Sequence, residues 1–131
     1  MSAPYAELHA ATNFSFLRGA SHPEEIFAAA AALGYGAIGV TDRNSLAGIV
    51  RAQVAAEETG VRLVVGCRLD LADGAAVLAW PEDRAAYGRL CRLLTLGKAR
   101  AGHRGFDLGW DDLLAGGEGL VVALLVGTPG A

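Results

Sequence analysis

The strongest constraint on how this chain can fold is an alternation. Short apolar segments of strand length are separated by longer segments with helical spacing, and glycine closes the first two helices. Tyr5 to His9, Tyr35 to Val40, Arg62 to Leu71, Ala75 to Trp80 and Leu120 to Val126 read as strands. Tyr35 to Val40 is apolar throughout, as a strand buried on both faces in a parallel sheet must be. Between them lie helical patterns. One starts at Ser21-His22-Pro23, with proline at the first helical position and Glu24 and Glu25 in the first turn, and stops before Gly34. A second runs from Leu46 to Thr59, its apolar face assigned to Leu46, Ile49, Val50, Val54 and Ala55, and Gly60 ends it. The longest covers Glu82 to Lys98, and a short one covers Asp111 to Ala115. Thr12 to Gly19 and Thr41 to Ser45 read as loops, and Asp73-Gly74 as a tight turn. The order β-α-β-α-β-β-α-α-β predicts an α/β domain with a mostly parallel sheet. In such folds, chemistry belongs to loops at the carboxyl ends of strands. That nominates the segments after His9, after Val40 and around Cys67–Asp70. The pattern stops directly after a strand, which reads as a truncated single domain over 1–131.

Composition removes several classes. The chain has 131 residues, 53% hydrophobic, with 11 Lys+Arg against 14 Asp+Glu. One modest core fits this size. Intrinsic disorder does not fit so apolar a chain, nor does nucleic-acid binding through global charge fit a net charge of −3. No apolar run approaches the roughly 20 residues of a membrane span. The start of the chain has no signal-peptide pattern, so the expected compartment is the cytoplasm. Cys67 and Cys91 form neither a disulfide framework nor a zinc pattern.

The common catalytic motifs GxSxG, HExxH and GxxxxGK[ST] are absent. Gly34, Gly36 and Gly39 only loosely resemble a dinucleotide fingerprint, because they precede and occupy a strand instead of opening a helix. His22 reads as a helix-cap residue and His103 as part of a connector, while His9 ends a strand. Ten of the eleven cations are arginine, Lys98 being the exception. Six of them, Arg84, Arg89, Arg92, Lys98, Arg100 and Arg104, fall in a stretch without any acid. That stretch is either a solvated helix face or a contact for a nucleic-acid backbone.

Four ordered motifs go beyond patterning. They are Tyr5 to Glu25 (YAELHAATNFSFLRGASHPEE), Gly39 to Gly48 (GVTDRNSLAG), Gly66 to Leu71 and Tyr87 to Thr95. Together they resemble the N-terminal polymerase-and-histidinol-phosphatase (PHP) domain of bacterial family C DNA polymerases, alpha-subunit type, in the error-prone, translesion branch. The resemblance implies a distorted seven-stranded (β/α) barrel, of which this chain would hold the first part. In metal-bearing members it implies a cluster of two or three divalent ions that hydrolyses phosphoesters, in some as a 3′→5′ exonuclease. The corresponding ligand positions here are His9, Ala11, Arg18, Arg43 and Arg68. Only His9 keeps a ligand, and three positions hold arginine. A multi-metal cluster needs convergent carboxylates and neutral imidazoles, so the expectation is a domain without metal, without catalytic residues and without a cofactor of its own. Glu7, Asp42 and Asp70 are the acids expected to pair with these arginines; the alternative is an anion site. Asp42 is also expected to shape its loop and cap the helix after it.

The resemblance therefore implies a non-catalytic scaffold within a damage-induced, Mg2+-dependent DNA-directed DNA polymerase. Its partners would be the rest of the polymerase chain, DNA through that parent, and other mutagenesis or replication proteins, with no membrane. Two other readings stand beside it: a metal-dependent PHP phosphoesterase or exonuclease using His9, and a stand-alone α/β binding protein.

Overall fold

The structure, a computed structural model, describes residues 5–12, 21–102 and 105–126. Nine elements follow one another among them: β1 (Ala6–Ala10), α1 (Pro23–Leu33), β2 (Ala37–Arg43), α2 (Ile49–Thr59), β3 (Arg62–Asp70), β4 (Ala76–Pro81), α3 (Arg84–Ala101), α4 (Trp110–Gly116) and β5 (Leu120–Leu125). The strands hydrogen-bond in chain order, β1-β2-β3-β4-β5. The chain divides into two compact units, Met1–Cys67 and Arg68–Ala131, so the junction falls inside β3.

In the first unit β1 pairs with β2 in parallel, as α1 between them requires. Helix α1 opens with His22 at its N-cap, whose backbone N–H donates to Glu25 Oε1 at 3.1 Å. It closes at Gly34, in the left-handed region with φ 80°. Helix α2 also ends on a left-handed glycine, Gly60. The core gathers Phe27 and Ala30 of α1, Ile38 and Val40 of β2, and Ala52, Ala55 and Ala56 of α2, with Val61 closing it. The expected apolar face of α2 is met in part: Ala55 is buried and Ile49 packs against the core, but the two valines do not. Val50 and Val54 are 75% and 49% exposed, and the buried residues are the three alanines. Small side chains let the helix approach its neighbours closely, and the face that packs is the one that permits this.

In the second unit β4 and β5 are antiparallel, with Ala76 opposite Leu125 and Pro81 opposite Leu120. This pair departs from the mostly parallel expectation. The Asp73-Gly74 turn is present: Gly74 has φ 95° and Asp73 Oδ1 accepts from the Ala75 N–H. Helix α3 is capped by Asp83, which accepts from the Ala86 N–H at 2.8 Å. Leu90, Leu93 and Leu94 are its buried leucines. On β5, Val121, Val122 and Leu124 are 50%, 42% and 59% exposed.

Candidate functional site

The carboxyl ends of β1 and β2 hold most of what the sequence nominates in the first unit. Their pairing is irregular. Glu7 faces Ile38 and Ala10 faces Val40, so β1 spends three residue steps where β2 spends two. The extra residue is a bulge at Leu8-His9. The His9 N–H turns to Glu7 Oε1, at 3.3 Å. Opposite the bulge sits Gly39, buried; a Cβ there would lie 2.6 Å from the Leu8 carbonyl oxygen. Glycine is thus required for the two backbones to come so close. The bulge leaves the His9 ring against Thr41, with Nδ1 2.6 Å from the threonine Oγ1.

Strand β2 continues through Thr41, Asp42 and Arg43, which the sequence reading assigned to a loop. Polar residues usually close a strand; here the first two are buried because side-chain hydrogen bonds satisfy them. Asp42 is 2% exposed. Its Oδ1 accepts from the Thr12 N–H at 2.6 Å and its Oδ2 from the Thr12 hydroxyl at 2.7 Å. Its backbone carbonyl accepts from the Cys67 thiol at 3.4 Å. Asp42 does not cap the next helix, contrary to expectation, because Gly48 holds the N-cap of α2 and makes no side-chain cap bond. The carboxylate is instead a clamp between the end of β2 and the segment after β1.

Of the other nominated positions, Ala11 is half-buried and Arg43 is exposed. Glu7 accepts from the Tyr5 hydroxyl as well as from the His9 N–H. Arg18 lies outside the described residues. In the second unit Arg68 Nε donates to Asp70 Oδ1 at 2.9 Å, both side chains mostly buried. Among the described residues no group of three or more His, Cys, Asp and Glu side chains could hold a metal ion. The residues at 11, 43 and 68 do not fit a metal cluster: a methyl group and two guanidiniums offer it no donor. Sequence reasoning missed Thr12 and Thr41 as partners of Asp42 and His9. The one available signal was polar side chains placed directly against apolar strands.

Arg84, Arg89, Arg92, Lys98 and Arg100 all lie on α3, while Arg104 and His103 fall outside the described residues. At 3.6 residues per turn the five fan over about half the helix circumference and do not form one stripe. Arg89 Nη1 donates to the Glu118 carbonyl at 2.9 Å. Arg100 Nη1 donates to Asp112 Oδ2. The Arg100 guanidinium, and next the Gly109 N–H, hold the Asp112 carboxyl below the usual carboxylate range. A depressed folded pKa contributes stability that is present above the unfolded pKa and is lost as pH falls through the folded one. Urea unfolding is therefore expected to show Asp112→Asn less stable than the unsubstituted chain at neutral pH. That gap should narrow below about pH 4. A gap independent of pH would refute this role.

The chain matches the PHP domain family over residues 7–127. It is 64% identical over 126 residues to error-prone DNA polymerase 1 of Agrobacterium fabrum, covering 95% of this chain and 12% of that protein. It is 59% identical over 121 residues to error-prone DNA polymerase 2 of Rhizobium meliloti, covering 92% and 11%. The error-prone DNA polymerase of Caulobacter vibrioides is 58% identical over 116 residues, covering 88% and 11%. The chain thus spans about an eighth of the relatives it matches. Among solved structures, a protein from Bifidobacterium adolescentis assigned as a metal-dependent phosphoesterase superposes with a TM-score of 0.61 at 22% identity, over 89% of this chain and 44% of its own. An amidohydrolase from Chromobacterium violaceum, solved with sulfate and no metal, gives 0.59 at 24% identity, over 70% and 32%.

Proposed function

The chain belongs to the PHP domain family, and from that premise we propose that it is a non-hydrolytic scaffold domain of an error-prone DNA polymerase. The observation that carries this reading is the chemistry at the nominated ligand positions. Position 68 holds a guanidinium already paired with Asp70 at 2.9 Å, position 43 holds another, and position 11 has no donor atom. His9 alone keeps a ligand side chain, and with Nδ1 engaged by Thr41 it has one ring nitrogen, Nε2, to offer a metal. A single imidazole cannot hold a multi-metal cluster. A like charge about 4 Å from a bound ion adds repulsion of about 4 kcal/mol per unit charge at an effective dielectric of 20.

In this reading the Arg68–Asp70 pair, both residues on β3, steadies the end of that strand without a bound ion. The domain supports the polymerase body, meets DNA through that body, and leaves nucleotidyl transfer and its Mg2+ to other parts of the protein. The likeness to a phosphoesterase is one of fold and does not bring hydrolysis with it.

The test is direct. The purified chain, dialysed against Mn2+ or Zn2+, is expected to retain no stoichiometric metal by elemental analysis and to leave bis-p-nitrophenyl phosphate intact. Micromolar metal binding or turnover of that ester would overturn the proposal. The double substitution Ala11→His and Arg43→His, in the unit that holds His9, is expected to raise affinity for Mn2+, which ties the effect to these positions.

A further inference from the structure

Between α3 and α4, within the second unit, lies a cavity of about 410 Å³. Its floor is aliphatic, made by Leu93, Leu96, Ala115 and Gly116. A Cβ at Gly116 would lie 3.2 Å from Leu93 Cδ2, so glycine keeps that floor deep. Arg89 and Arg92, one helical turn apart, stand on one side of the cavity. Arg89 is held in place by the Glu118 carbonyl through one nitrogen only, which leaves most of its donors to face an incoming group. The lining includes one acid, Asp112, and its carboxylate already accepts from Arg100 and from the Gly109 N–H. No acid occurs anywhere along α3. The cavity therefore combines an aliphatic pocket with unmatched positive charge.

We propose that this groove docks an acidic peptide segment, an aliphatic side chain entering the pocket and a neighbouring carboxylate meeting Arg89 and Arg92. Arginine forks bind carboxylates in two-point fashion, and arginine beside a buried apolar anchor is a common centre of binding energy. Nucleic acid fits less well. Its phosphate backbone is held by cations ranged along a track, and of the five α3 cations only Arg89 and Arg92 line this cavity, beside aliphatic carbon that offers a phosphate nothing.

The test uses the whole chain and fluorescence anisotropy with three labelled probes: a short peptide alternating glutamate and leucine, its lysine–leucine counterpart, and an oligothymidylate. The glutamate–leucine peptide is expected to bind, and Arg92→Glu to weaken it at least about tenfold. Leu96→Asp is expected to weaken it similarly. Ala115→Leu fills the pocket from an exposed position and supplies the same reading if Leu96→Asp disturbs the fold. Circular dichroism checks that each variant is folded. Equal binding of the lysine–leucine peptide, indifference to Arg92→Glu, or displacement of the peptide by the oligothymidylate would each overturn the proposal.

Discussion

Gly39→Ala is expected to cost about 3 kcal/mol or more and to lower the thermal midpoint by about 10 °C. The added methyl would lie 2.6 Å from the Leu8 carbonyl oxygen and 2.8 Å from its carbonyl carbon. These are backbone atoms, so no rotamer change relieves the clash. Strand β1 must move, and with it the bulge that sets His9 against Thr41. The contrast is Gly88→Ala on α3, where the new Cβ meets nothing within 4 Å. There alanine is expected to be neutral or to stabilise by up to about 1 kcal/mol, the usual helical gain over glycine. Thermal unfolding of both variants reads the difference. Equal midpoints would mean that β1 and β2 do not approach as described.

What was legible in the sequence follows from local chemistry. Gly34 and Gly60 mark the ends of α1 and α2 because only glycine enters the left-handed region cheaply. Asp73-Gly74 announces its turn for the same reason. The alternation of periods announced the α/β class. What escaped depends on contacts between residues distant in sequence. The bulge in β1 cannot be seen in Tyr5 to His9, because register belongs to a pair of strands. The extension of β2 through Thr41 and Asp42 needs Thr12, about thirty positions earlier, to satisfy the buried carboxylate. On α2 the valines promised a core face, yet the alanines pack, since close approach favours small side chains over large ones. The antiparallel β4–β5 pair lies across two helices, where alternation alone suggests a parallel crossover. The candidate site was legible in position more than in role. His9 and Asp42 stand at the strand ends where the fold places chemistry, while the cation positions on α3 gave no hint that Arg89 and Arg100 would spend donors inside the unit.

Asp42→Ala tests the clamp. Removing the carboxylate leaves the buried Thr12 N–H and hydroxyl without the acceptors that now lie at 2.6 and 2.7 Å. A buried donor stripped of its partner costs about 1–3 kcal/mol, and a bond to a charged group sits at the upper end. With two donors affected, the expected loss is about 4 kcal/mol. Asp42→Asn separates charge from geometry. Its amide oxygen can still accept from the Thr12 N–H, and its NH2 can donate to the threonine hydroxyl oxygen, which has lone pairs to spare. That variant is expected to lose less than half as much. Thr12→Val removes the hydroxyl bond but keeps the backbone one, so a cycle of Asp42→Ala with Thr12→Val should show a coupling of about 1–2 kcal/mol. Denaturant unfolding of the four proteins measures it. Additive losses would show that the two residues act independently, and the segment after β1 would then be held by something other than Asp42.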